Sequence, residues 1–365
     1  MTVPVTPGAF LPRIESLRGA AALAVAFCHV GVPLADAATA SGGLDALAFR
    51  IYEALSNGTG AVVAFFVMSG FVLAKSLDRN PDPLRFLRHR LFRLFPAIVA
   101  VIAAITLVYR CTGFQPYPAS FDLGNVLLNM LTVHTDINRV MWSMKVEVFA
   151  TPLILGCAWL FATFGPRPLW VVIAVLFGLS WIGQYAALLG EGTTIAPLYA
   201  FVFGMLLHFR GDAFAPLLAS RWATPAALLS VSAFSVCSVL KQTGWTLMIE
   251  CLSATLLVGL IAYGPRLSIF RPLDWRVVRF YGRISYSFYL LHPMSLWLAG
   301  EAALRLQHAA PGLPVTAVAV LTGVLSVALV TPVAWLCWAA VEMPAIRLGR
   351  RARAANPAAP MQAPM

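Results

Sequence analysis

The sequence predicts an all-α integral membrane protein, a bundle of about ten transmembrane helices with both termini in the cytoplasm. Three observations predict it. Of 365 residues, 60% are hydrophobic and only 11% charged, with a mean hydropathy of +0.80; a soluble domain carries about a quarter charged residues. The apolar residues are laid out in blocks of roughly twenty, the length that crosses a hydrocarbon core. The lysines and arginines gather in alternate loops between those blocks, as the positive-inside rule requires.

The blocks run approximately 15–34, 59–77, 91–109, 146–164, 168–188, 193–209, 222–240, 247–263, 284–304 and 314–340. Residues 121–133 (FDLGNVLLNMLTV) are apolar but short and open with Asp122, so they read as an interfacial or re-entrant piece. With ten spans and a cytoplasmic N-terminus, 20 of the 26 basic residues fall inside and 6 outside. If 121–133 spanned, the cluster from Arg266 to Arg283 would move outside and the bias would collapse. Met1 to Pro12 lacks a charged segment leading into an apolar stretch and a cleavage site, so the first block is expected to be a retained helix. Residues 1–347 form one transmembrane domain without an internal repeat. Residues 348–365 (LGRRARAANPAAPMQAPM), basic and then rich in Ala and Pro, read as a disordered cytoplasmic tail near anionic headgroups.

The net charge of +11 does not point to nucleic acid, because the arginines are scattered between hydrophobic segments rather than gathered on one soluble face. None of the six cysteines has CxxC or metal-ligand spacing, and most lie inside apolar blocks, so inert thiols and no metal site are expected. Cys28 stands out only because it precedes His29.

Chemistry is expected where ionisable residues enter the apolar blocks, since such residues usually face a cavity or a partner. The first block contains Arg18 and His29 in RGAAALAVAFCH. Eleven residues at 100° each return a helix to within about 20° of its starting direction, so both side chains share a face, roughly 16 Å apart along the axis. The plainer reading has Arg18 snorkelling and His29 bonded to a neighbouring helix. Glu147, in MWSMKVEVF, opens the fourth block at its outer end, at a depth comparable to His29. A carboxylate there can fix the imidazole tautomer and support general-base activation of a hydroxyl. A salt bridge to Lys145 competes, weakened by the 100° between adjacent helical residues.

Ser69 and Gly70, in FFVMSGF, read as small residues for close helix approach. In the loop before the third block, RFLRHRLFRLFP, Arg85, Arg88, Arg90 and Arg93 crowd the cytoplasmic face. They either obey the positive-inside rule or clamp phosphate groups bidentately. His292, in GRISYSFYLLHP, stands roughly 12 Å into the ninth block by helical rise. Glu250, mid-way along the eighth, reads as polar glue between helices, and EMPAIR carries Glu342 and Arg347 after the last block. The same His, Glu and Arg would also serve a transporter as a proton relay. Such a protein usually shows similar halves or broken helices in paired positions, and neither is visible.

Six strings stand in order from the first block to the last: LRGAAALAVAFCH at 17–29, FFVMSGF at 65–71, RHRLFRLFP at 88–96, WSMKVE at 142–147, ISYSFYLLHP at 284–293 and EMPAIR at 342–347. Together they resemble the acyltransferase 3 family of integral membrane O-acyltransferases. The resemblance implies transfer of an acyl group, commonly acetyl, from cytoplasmic acyl-CoA to a hydroxyl of a cell-surface carbohydrate or its lipid-linked precursor, in a multi-pass protein of the inner membrane. Acyl-CoA would be a co-substrate rather than a resident cofactor. By the same resemblance His29 matches the essential histidine and Arg18 its partner. Arg90 and Arg93, with Arg88 beside them, match the basic motif on the CoA side, and Glu147 matches the acid of the WS-x-x-x-E string. Two departures stand out: Glu15-Ser16 replaces a frequent Asp-Gly pair, and VFATPL replaces an aromatic-rich run after the acid. The esterase-like domain that many larger members append is not expected here, so the chain is expected to act on its acceptor directly.

Overall fold

The computed structural model describes residues 12–183, 197–310 and 312–351, and none of these lies in a strand. Seven helical stretches among them are long and apolar enough to cross a membrane, and two shorter apolar helices accompany them. Large apolar side chains such as Leu107, Trp159, Val171, Leu229 and Leu329 are exposed, as a lipid-facing surface demands.

The chain begins with α1 (Pro12–Gly31), closed by a 3-10 turn over Val32–Leu34 that contains Pro33. Two short helices follow, α2 (Ala35–Ser41) and α3 (Gly43–Leu55), joined at Gly42 and Gly43, whose φ values of 65° and 54° suit glycine. α4 (Gly58–Arg79) starts at Asn57, whose side chain accepts the Gly60 N–H. α5 (Pro83–Thr112) is 30 residues long, capped by Asp82 on the Arg85 N–H and opened by Pro83. At about 45 Å it outreaches the hydrocarbon core. The arginine-rich string expected in a loop is therefore the projecting start of a helix.

α6 (Leu123–Met130) has eight residues, about 12 Å, which makes the 121–133 block a short helix that cannot span. The chain then folds inward, and Ile137, Asn138 and Met141 are fully buried before α7 (Trp142–Phe164) begins. There follow α8 (Arg167–Gly183), α9 (Tyr199–Leu218), α10 (Ala223–Val239) and α11 (Gly244–Tyr263). A 3-10 segment over Ser268–Asp274 leads to α12 (Arg276–Ala309). α13 (Val315–Cys337) begins where the Asp45 carboxylate accepts the N–H groups of Val315 and Thr316, at 2.7 and 3.0 Å. A π segment over Trp338–Glu342 joins it to α14 (Met343–Arg351).

Each of the ten expected blocks coincides with one of these helices over most of its described length; 184–188 and 193–196 fall outside the described residues. Of the expected tail, 348–351 continue α14, because this stretch is amphipathic and packs Gly349 against Phe92 of α5; 352–365 lie outside the described residues. All six cysteines are free; Cys157, Cys237 and Cys251 are buried, whereas Cys111 is exposed.

Close helix approach sets the core. On α4 and α9, a Cβ at Gly70 would meet the Phe201 carbonyl oxygen at 2.0 Å, and one at Gly204 the Val67 carbonyl at the same distance. On α1 and α12, a Cβ at Gly19 would lie 2.4 Å from the Gly282 nitrogen, and one at Gly282 the same distance from the Glu15 carbonyl. Backbones so close pack through van der Waals contact and are open only to small residues. Glu250 of α11 accepts from Asn57 at 2.9 Å and ties the start of α4 to its neighbour, the polar glue expected of it.

Candidate active site

Two polar layers lie between α1 and α12. The first is a pair of imidazoles: His29 Nδ1 and His292 Nε2 are 3.0 Å apart and the rings stack with centroids 5.1 Å apart. The glycine contact explains how they meet. His29 stands ten residues after Gly19 and His292 ten residues after Gly282, so two helices running the same way rise about 15 Å from one contact to the next. His292 is fully buried, and its Nδ1 lies 2.7 Å from the carbonyl oxygen of Tyr289.

The second layer surrounds Arg18. It lines a narrow cavity of about 30 Å³ together with Phe65, Ser69, Ser143, Glu147, Tyr286 and Tyr289. The guanidinium sits 6.0 Å from the centroid of Phe65, within reach of a cation–π contact. It makes no hydrogen bond or ion pair among the described residues. Tyr289 links the two layers. Its hydroxyl lies 2.8 Å from Ser143 Oγ and donates to the Val140 carbonyl at 3.0 Å, and its ring centroid is 5.5 Å from that of His292.

Glu147 belongs to the arginine layer. Its Oε1 accepts from Ser69 Oγ at 2.8 Å and lies 3.8 Å from the Arg90 guanidinium. The expected pair with His29 is not formed among the described residues; His292 occupies that place. The physical reason is the inward fold of the chain around Ile137, Asn138 and Met141. It starts α7 inside the protein, so Glu147 sits deeper than its distance from the block's end implied. Lys145 turns away to donate to the Val133 carbonyl at 2.7 Å.

Arg90 also departs from expectation. It is 5% exposed and faces α7, where its Nε donates to Thr151 Oγ1 at 2.9 Å and its Nη2 to the Glu147 carbonyl at 2.7 Å. Along α5, Arg88 points nearly opposite to Arg90, whereas Arg93 lies within about 60° of Arg90. Arg88 and Arg93 are half-buried, and Arg88 Nε has no hydrogen-bond partner among the described residues. Glu342, at the end of the π segment, accepts from Ser287 Oγ at 2.8 Å. No three His, Cys, Asp or Glu side chains among the described residues converge as a metal site would require.

The histidine pair and the Arg18 cavity thus lie along the same two helices, α1 and α12, in a bundle that carries the six strings in order. A family model described as an acyltransferase domain matches residues 11–339. The chain belongs to the acyltransferase 3 family. A protein of Acidianus two-tailed virus named as an acetyltransferase is 28% identical over 138 residues, 37% of this chain and 37% of its own. The O-acetyl transferase of Shigella phage Sf6 is 26% identical over 144 residues, 35% of this chain and 43% of its own. The chain thus matches about two-fifths of either relative's length. No solved structure matches. With its apolar helices, this member of the acyltransferase 3 family is a multi-pass membrane protein.

Proposed function

We propose that the chain is a membrane O-acyltransferase that moves an acyl group, acetyl first among candidates, from cytoplasmic acyl-CoA to a hydroxyl of a cell-surface carbohydrate or its lipid-linked precursor. The observation that carries this reading is the Arg18 guanidinium, without a hydrogen bond among the described residues, in a cavity whose Tyr289 also packs against His292 of the His29–His292 pair. Ionisable side chains at such depths usually face a cavity or a partner, and the free N–H groups of this guanidinium suit an anionic part of acyl-CoA, either a phosphate or the oxyanion that forms at the thioester carbonyl. Family membership and the names of the two viral relatives support the same chemistry.

In this reading ten helices span the cell's inner membrane with both termini in the cytoplasm. Arg88 and Arg93, at the projecting end of α5, meet the donor's phosphates, while Arg90 stays a strut between α5 and α7. The donor's thin pantetheine arm enters past Arg18. His29 removes the acceptor hydroxyl proton as the oxygen attacks the thioester carbonyl. The new O–C bond forms, the C–S bond breaks, and the leaving thiolate takes the proton back from His29. No covalent acyl-enzyme is needed.

The test uses the full chain in lipid nanodiscs with radiolabelled acetyl-CoA, together with mass spectrometry of surface polysaccharide from cells with and without the gene. His29→Ala is expected to abolish acylation while membrane insertion and acetyl-CoA binding persist. A His29→Ala protein acylating at the wild-type rate removes the assignment.

A further inference from the structure

We propose that His292 is the positioning residue of the transfer base, and that the proline after it makes this possible. Pro293 frees a backbone carbonyl, that carbonyl fixes the His292 tautomer, and His292 fixes the tautomer of His29. This rests on His29 being the base, as proposed above.

In an unbroken α-helix the carbonyl of Tyr289 would accept the N–H of residue 293, four positions on. Residue 293 is proline, inside α12, and proline has no N–H. The freed carbonyl is instead 2.7 Å from His292 Nδ1. A carbonyl oxygen only accepts, so Nδ1 carries the hydrogen. A neutral imidazole has one N–H, which leaves His292 Nε2 as a lone pair. That lone pair faces His29 Nδ1 at 3.0 Å. Two imidazole nitrogens at this separation share one hydrogen, and it resides on His29 Nδ1. His29 Nε2 is thereby left as the free lone pair, the atom that accepts the hydroxyl proton.

His292 stays neutral because its surroundings hold no counter-charge. It is fully buried, among Phe288, Tyr289, His29 and the hydroxyl pair of Ser295 and Ser326. An unpaired imidazolium there would carry a large desolvation penalty. A neutral partner orients His29 as a carboxylate does in other sites, without placing a negative charge beside it in the membrane.

The test compares wild type with His292→Leu, His292→Gln, Pro293→Ala and His29→Ala in nanodiscs, reading kcat, the KM for acetyl-CoA and histidine ¹⁵N NMR. Wild type is expected to show His29 protonated at Nδ1. His292→Leu removes the acceptor; kcat is expected to fall about 100-fold or more, within the range seen when a base loses its orienting partner, with KM within about threefold. His292→Gln keeps an acceptor oxygen and is expected to recover to within about tenfold of wild type. Pro293→Ala restores a competing N–H to Tyr289 and is expected to lower kcat while raising the unfolding midpoint. His292→Leu within twofold of wild type overturns the proposal, as does a wild-type His29 protonated at Nε2. If His292→Leu fails to fold, the wild-type spectrum and the Gln and Ala variants decide. Activity in His29→Ala would remove the base assignment itself, whereas an inactive His29→Ala beside a normal His292→Leu removes only the role of His292.

Discussion

Arg90 and Glu147 hold each other where both side chains are largely shielded, through the backbone carbonyl of Glu147 as well as its carboxylate. Replacing Glu147 by Gln leaves Arg90 its bonds to Thr151 and that carbonyl but removes the facing charge. The expected cost is about 1–3 kcal/mol of stability, at the low end for breaking a buried pair, read by thermal unfolding with and without acetyl-CoA. The His29 NMR signals should not move, because Glu147 is not its partner. The helical phase that put Arg18 and His29 on one face of α1 was legible in the sequence, and both do face α12. The His29–His292 bond was not, since it joins residues 263 apart and no local spacing encodes it. His292 carried a signal all the same: an imidazole immediately before a helix-interior proline, in an otherwise apolar run.

At the scale of elements, α1 and α12 are placed by glycine contact. A side chain at residue 282 would drive into the Glu15 carbonyl, and a backbone cannot move aside as a flexible side chain can. Gly282→Val is expected to cost at least the 1–3 kcal/mol typical of overpacking, and to abolish acylation by parting the histidines. Gly156→Ala, where a Cβ meets open space, should stay within about 0.5 kcal/mol. Unfolding midpoints and turnover of both variants check this. Helix existence was legible because each block is long and continuously apolar. Starts were not: hydrophobicity marks where the lipid begins, whereas Asp82, Pro83 and their N-terminal geometry begin α5 eight residues before its apolar block. The short helices α2 and α3 escaped notice because short, half-polar segments carry neither a spanning length nor a clean period.

Across the whole molecule, α1 is tied at its N-terminal end to the 3-10 segment before α12. Arg13 donates to both carboxylate oxygens of Asp274, and Arg279 approaches the same carboxylate at 3.6 Å. The hydrogen bond from Arg13, joined by the charge of Arg13 and Arg279, holds the Asp274 carboxyl below its ordinary value of 3.8. A depressed carboxylate stabilises the fold above that ordinary value, and its contribution fades as pH falls through the lower folded value. The wild-type unfolding midpoint should therefore drop more steeply than that of Asp274→Asn as pH is taken below about 4, by a modest margin because the pair is partly exposed and screened. Parallel pH profiles for the two proteins would exclude this.

Pro293 has a consequence for anyone who wishes to make the protein sturdier. A proline inside a helix costs about 3 kcal/mol or more, so a search for stabilising substitutions would choose Pro293→Ala early and see the melting temperature rise. The same exchange would hand the Tyr289 carbonyl back to the helix and leave two imidazoles free to choose their tautomers. At this one position durability and turnover are set against each other, and a hardened variant would be a well-ordered protein with an undecided base.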